Sequence, residues 1–248
     1  MEGEAAYGFI VNVDAQGSGL LSDTEKPEMR RRLYEVTNAA FEQARIRAPR
    51  LYQEDRGDGI LSVLAADVPP RRVVGEWLEY LHQDLRQLNR GLRTPLRLRV
   101  GLHIGPVTAD EHGRSGRAVD LACRLGDCDT AKAILKAAEG SPLVAVASDR
   151  LYEDVVLAGG RWVEPDRYRR HEVELKEGRK AAWFTVPGLP QPPDPATTAT
   201  APRPEPPQPQ PQGTGDSFVQ NNHHHGSGQF IANGKVDTLH IDQYGGER

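Results

Sequence analysis

The sequence predicts an α+β fold built on a βαββαβ sheet, and three stretches predict it. Residues 96–104 alternate apolar and polar side chains over their first half, as a half-buried strand does. Val74, Trp77, Leu78, Leu81, Leu85 and Leu88 recur at helical spacing. Residues 51–64 hold two β-prone runs around Asp58-Gly59, a pair that tolerates the positive φ of a tight hairpin turn.

The remaining elements fit around these three. Residues 8–14 read as a strand that leaves the core at Asp14, and residues 15–19 as a small-residue loop. Ser22 and Asp23 are capping residues and Pro27 suits a first helical turn. Leu33, Val36, Ala40, Phe41 and Ala44 then line the inner face of that helix. Pro69-Pro70 opens the second helix, Asn89-Arg90-Gly91 closes it, and Gly105-Pro106 closes the strand that follows. This order is the split βαβ arrangement of ferredoxin-like folds. It pairs the first strand antiparallel with the second arm of the hairpin, so Asp14 and Asp58 should meet at one sheet edge.

Additional helices and strands follow. A loop runs through residues 110–113, and a helix starts near Gly116 with Val119, Ala122, Cys123 and Leu125 inward. Asp120 and Arg124 stand one turn apart on it. A short helix over 130–138, a buried strand over 143–147 and a helix capped by Ser148 and Asp149 and running through Leu157 come next. Strands 168–175 and 181–186 close the domain around a turn at 176–180. Residues 187–215 are a proline-rich, extended linker that cannot bury a core. Residues 216–248 form a β-prone tail with short patches at 218–222 and 229–234, the makings of a stacked cross-β module.

Composition narrows the function. The chain has 248 residues, 38% hydrophobic and 27% charged, enough for one domain with a real core and something further. A net charge of −4 argues against a general nucleic-acid binder. No apolar run is long enough to span a membrane, and Met1-Glu2-Gly3-Glu4 lacks the pattern of a signal peptide. Cys123 and Cys128 have no histidine close by, which reads as reduced thiols in a cytoplasmic protein.

Two converging aspartates beside glycine-bearing loops suit a divalent cation, since Mg²⁺ takes one or two carboxylates and completes its shell with water and phosphate. The loop from Gly17 to Gly19 lets phosphates approach backbone N–H groups. Arg124 can neutralise charge developing on a phosphoryl group. Simpler roles stand beside these: Arg124 pairing with Asp120 on a helix face, His103 as a structural residue, and His223-His224-His225 as a solvated loop. His112, Asp55 and Arg56 have no assigned role.

Four blocks carry a resemblance: Phe9 to Gly17; Glu54-Asp55-Arg56-Gly57-Asp58-Gly59; Arg99-Val100-Gly101-Leu102-His103-Ile104-Gly105-Pro106-Val107; and Gly116-Arg117-Ala118-Val119-Asp120-Leu121-Ala122-Cys123-Arg124-Leu125. In this order they resemble class III nucleotidyl cyclases, the adenylyl and guanylyl cyclases, in a bacterial, actinobacterial-like variant. The resemblance covers about residues 5–186. It implies that Asp14 and Asp58 hold two Mg²⁺ or Mn²⁺ ions and that Arg124 stabilises the transition state. Asp120 stands where the family usually has asparagine, and a carboxylate only accepts where an amide also donates. Glu54 falls on the base-selecting position as in guanylyl cyclases, favouring GTP over ATP; the second such position falls near Gly113 and leaves a pyrimidine open. Lys176 or Lys180 would contact the substrate phosphates. The implied protein is a homodimer that converts a nucleoside triphosphate to a 3′,5′-cyclic nucleotide and pyrophosphate, in bacterial signalling or defence.

The alternative is a catalytically degenerate domain, marked by Asp120 and the acidic hairpin, that senses a nucleotide or dimerises and is recruited through its tail. A diguanylate-cyclase-type palm is set aside, because the hairpin lacks a Gly-Gly-Asp/Glu-Glu-Phe signature. The tail resembles amyloid signalling motifs that tether bacterial effector domains to NLR-like receptors, which implies such a partner; fibril formation by a peptide spanning residues 216–241 is its test.

Overall fold

The computed structural model describes residues 4–195. The tail, with its expected amyloid motif and His223-His224-His225, and most of the linker lie outside the described residues. Strand β1 is Ala6–Ala15, followed by a 3₁₀ turn at Ser18–Leu20 and helix α1 at Lys26–Gln43. The hairpin is β2 (Leu51–Asp55) and β3 (Gly59–Leu64). Helix α2 (Pro70–Arg72) passes through a π turn at Val73–Trp77 into α3 (Leu78–Leu88). Then come β4 (Leu98–Asp110), β5 (Gly113–Ser115), α4 (Arg117–Asp127), α5 (Asp129–Ala137) and β6 (Leu143–Ser148). The short α6 (Asp149–Leu151) continues as a π turn at Tyr152–Val156, and β7 (Arg169–Leu175) and β8 (Gly178–Thr185) close the domain.

The strands run in the order β2-β3-β1-β4-β6-β8-β7, with β5 pairing only β4. The first four of these positions are the expected ferredoxin-like core: β1 is antiparallel to β3 on one side and to β4 on the other. The strand period of two then sorts the side chains. Phe9, Val11 and Val13 turn to the layer of α1 and α3, where they meet Leu33, Phe41, Trp77 and Leu85. Ile10, Leu61 and Val63 turn to the other layer, against Ala118, Val119 and Ala122 of α4. Asn12 and Asp14 of β1 belong to this second face by alternation, as do Tyr52 and Glu54 of β2 and Arg99 of β4. Helix α4 lies directly on that face because Gly101 has no side chain: a Cβ there would stand 1.9 Å from the Ala122 carbonyl oxygen.

Several element ends differ from the sequence reading, each for a local reason. Strand β4 does not stop at Gly105-Pro106 but runs to Asp110. Its pairing with β6 ends at Leu102, so Pro106 removes no bond to a second neighbour. The expected loop at 110–113 is instead the turn of a small β4–β5 hairpin. The left-handed residue of the acidic hairpin is Gly57 (φ 83°), not Asp58-Gly59. The Asp55 carboxylate accepts the Gly57 N–H at 2.6 Å and moves the turn one step earlier. Ser22 does not cap α1; its N–H and hydroxyl bond the Glu25 carboxylate at 2.8 and 2.6 Å, holding a separate turn ahead of the helix. The closing hairpin is tighter than expected, with Leu175 opposite Gly178 and only Lys176 and Glu177 between them. Ser148 does cap its helix, accepting the Leu151 N–H at 3.2 Å.

Candidate active site

The register of β1 against β3 sets Asp14 opposite Gly59, and the Ala15 N–H donates to the Asp58 carbonyl at 2.9 Å. The two aspartates thus meet where topology placed them. Each carboxylate has its own partner. Asp14 pairs with the guanidinium of Arg99, which stands opposite it on β4. Arg99 is 5% exposed, and it also bonds the Gln16 side chain, the Gly126 carbonyl at 3.0 Å and Asp127 at 3.2 Å. Asp58 accepts a bond from the Ser18 hydroxyl at 2.5 Å. Burial pushes the Asp14 carboxyl up to about 6, against the pull of Arg99 and with the Asp58 charge adding to the rise.

Among the described residues no group of three or more His, Cys, Asp and Glu side chains forms a cage for a metal. Two hard carboxylates at one edge are nonetheless what Mg²⁺ or Mn²⁺ takes from a protein when water and substrate phosphates complete its shell. Asp14 and Asp58 fit that donor set. A cleft of about 330 Å³ opens beside Asp58, lined also by Ser18, Gly19, Lys26, Met29, Arg30 and Gly57. Gly17, at φ 77°, turns the chain into this loop.

A second group gathers around α4 and β2. The carboxylate of Glu54 accepts from the Tyr52 hydroxyl at 3.2 Å and pairs with Arg56 at 3.1 Å. A Cβ on Gly113 would lie 2.8 Å from a Glu54 oxygen, so the two positions that the resemblance implies for base selection lie side by side. Arg114 stacks over the Tyr52 ring at 4.4 Å. Cys123 reaches the Asn12 side-chain oxygen at 3.5 Å. Burial raises its thiol pKa, and the charges of Arg56, Asp120, Glu54 and Arg124 also act on it. Arg124 forms its ion pair with Glu177 in the β7–β8 turn, which replaces the simpler expectation of a pair with Asp120. Asp120 is exposed. Lys176 is the neighbour of Glu177, whereas Lys180 stands further along β8 opposite Val173.

The charges that act on Asp14 belong to Arg99, Asp58, Asp127 and Lys132. Those that act on Cys123 belong to Arg56, Asp120, Glu54 and Arg124. The two sets share no member. Sequence reading missed Arg99, Ser18, Tyr52 and Glu177. No signal existed for Arg99, one of two arginines in an alternating strand whose neighbour the sequence reading did not name. None existed for Glu177, whose place depends on a turn two residues long. Asp55 gains a role here: it shapes the turn through Gly57 and ties the hairpin to α1 through Arg30. Arg56 gains one as the partner of Glu54.

No family model matches the chain, and no curated protein matches it. Solved structures do. The guanylyl cyclase Cya2 is 20% identical, with 76% of this chain and 96% of that one covered at a TM-score of 0.53. An adenylate/guanylate cyclase/hydrolase from Silicibacter pomeroyi is 19% identical, covering 75% and 99% at 0.54. The adenylyl cyclase CyaB from P. aeruginosa is 14% identical, covering 76% and 98% at 0.50. The described residues therefore have the fold of adenylyl and guanylyl cyclase catalytic domains.

Proposed function

We propose that this chain is a metal-dependent nucleotidyl cyclase that works as a homodimer. The observation that carries the reading is the meeting of Asp14 and Asp58 at the sheet edge, beside a glycine loop. Glu54 and Arg124 gather separately around Cys123. Two half-sites on one chain support a shared site: the metal edge of one subunit faces the base pocket and arginine of its twofold mate.

In the reaction, the ribose 3′-oxygen attacks the α-phosphorus and forms the cyclic ester. The bond from that phosphorus to its bridging oxygen breaks, and pyrophosphate leaves with the electron pair while the hydroxyl proton passes to solvent. Bound Mg²⁺ or Mn²⁺ ions, two per site, would stabilise the entering and leaving oxygens. The loop at Gly17 and Gly19, with Lys26 and Arg30 beside it, receives the phosphates. Arg124 stabilises charge on the phosphoryl group once Glu177 releases it. We assign the phosphate-contacting lysine to Lys176 rather than Lys180, because Glu177 brings its own neighbour to Arg124. Each Glu54 oxygen has one protein partner and keeps a lone pair for a guanine N–H, which favours GTP over ATP.

Purified protein incubated with each of the four nucleoside triphosphates and Mn²⁺ tests the reading. The parent should release cyclic product, and Asp58→Ala should lose about a hundredfold or more of it with unchanged circular dichroism. Equal product from parent and variant would sink the proposal.

A second reading is favoured by Asp120 beside Arg124 and by the commitment of Arg124 to Glu177. Under it the domain binds a nucleotide or dimerises without turnover, and the tail at 216–248 recruits a signalling partner such as an NLR-like receptor. Nucleotide binding with no product from any of the four substrates would select it.

A further inference from the structure

The two carboxylates of the metal edge are held by partners of different kinds. Asp14 is fixed by Arg99, a buried residue of the neighbouring strand. Asp58 is fixed by Ser18, which belongs to the glycine loop and lies 40 residues away in sequence. Between Gly17 and Gly19, which carry no side chain, the Ser18 hydroxyl is the side-chain donor. Asp58 is therefore tied both to the end of β1 and to the loop after it: its carbonyl accepts from the Ala15 N–H at 2.9 Å, and its carboxylate from Ser18 at 2.5 Å. A hydroxyl donating to an ionised carboxylate makes one of the stronger protein hydrogen bonds. It occupies one oxygen, Oδ2, and leaves Oδ1 for a cation.

We propose that Ser18 is a positioning residue whose hydroxyl orients the Asp58 carboxylate for a divalent cation and couples the phosphate-receiving loop to the metal edge. The inference rests on the cyclase reading. Without the bond the carboxylate rotates freely, and the loop loses its one side-chain tie to the hairpin. Cation affinity and phosphate placement should then fall together, because the same contact orders both.

The test is Mn²⁺ binding to the full chain, followed by the electron paramagnetic resonance signal of free Mn²⁺, with thermal melting measured on the same samples. Ser18→Ala should weaken Mn²⁺ binding about tenfold, the lower end of what a hydrogen bond to a charged group is worth, with little change in melting. Ser18→Thr keeps the hydroxyl and should restore binding. In an Asp58→Ala background, Ser18→Ala should have no further effect. With nucleotide and saturating Mn²⁺, Ser18→Ala should also lower kcat more than it raises KM. Mn²⁺ binding by Ser18→Ala that equals or exceeds the parent's overturns the inference. So does equal loss in the Ala and Thr variants, or an undiminished effect in the Asp58→Ala background. A parent that binds no Mn²⁺ overturns the cyclase reading itself, which separates the two failures.

Discussion

His103 stands on β4, 9% exposed as a residue, with its Nδ1 2.7 Å from the Ser148 hydroxyl, so it links the central strand to the capped helix α6. Burial, with help from the Arg150 charge, lowers its pKa to about 4. The folded protein keeps this ring neutral while the unfolded chain protonates near 6.5. Its contribution to stability is therefore full above pH 6.5 and drains away as pH falls toward 4. Between pH 6.5 and 5 the loss is about 2 kcal/mol. Asp14 acts in the opposite sense. Its carboxyl is raised to about 6, so the cost of burying the charge is relieved as pH falls from about 6 to 3.8. The two residues nearly offset each other, and substitution separates them. Urea unfolding at pH 7 and pH 5 in the absence of metal should show His103→Asn closing most of its stability deficit at the lower pH. A deficit that stays constant across the two conditions would show that the imidazole does not titrate on unfolding.

At the scale of elements, the closing hairpin holds the arginine proposed to act in catalysis. Leu175 and Gly178 pair directly, so Lys176 and Glu177 form the whole turn, and Glu177 meets Arg124 on α4. The pair is half open to solvent, 28% and 50% exposed on its two sides, so it restrains the arginine only weakly. Glu177→Gln keeps the shape of the turn and removes the charge. Turnover at saturating nucleotide should rise about two- to fivefold, the range a pair worth up to 1 kcal/mol allows. An unchanged rate would mean that Arg124 reaches substrate with Glu177 in place. This contact also marks how far the sequence could be read. Periodicity located every major helix and strand, because apolar residues such as Val74, Trp77 and Leu81 report burial directly. It placed the ends less well. Pro106 read as a stop because its missing N–H matters in a central strand, whereas β4 has already lost its β6 neighbour there. Asp14 and Asp58 were legible because topology alone joins β1 to β3. The partners that hold them, Arg99 and Ser18, depend on side-chain reach, which no periodicity encodes.

For the whole molecule, the proposed division into two half-sites has a consequence that one chain cannot express. Asp14 is paired with Arg99 and Asp58 with Ser18, while Glu54 is held by Tyr52 and Arg56 and Arg124 by Glu177. If a working site takes its metal edge from one subunit and its arginine from the other, Asp58→Ala and Arg124→Ala should each abolish turnover alone. Their mixture should not be inactive. In a heterodimer of the two variants, one site combines both lesions and the other combines the intact metal edge with the intact arginine. Random exchange makes half the dimers mixed, each with one of two sites restored, so activity should return to about a quarter of the parent's. The measurement is cyclic product formed after the variants are unfolded together and refolded, against each variant refolded by itself. A mixture as inactive as its components would place the complete site within a single chain, and the separation of Arg124 from Asp58 would then have to close by movement of α4 toward the hairpin.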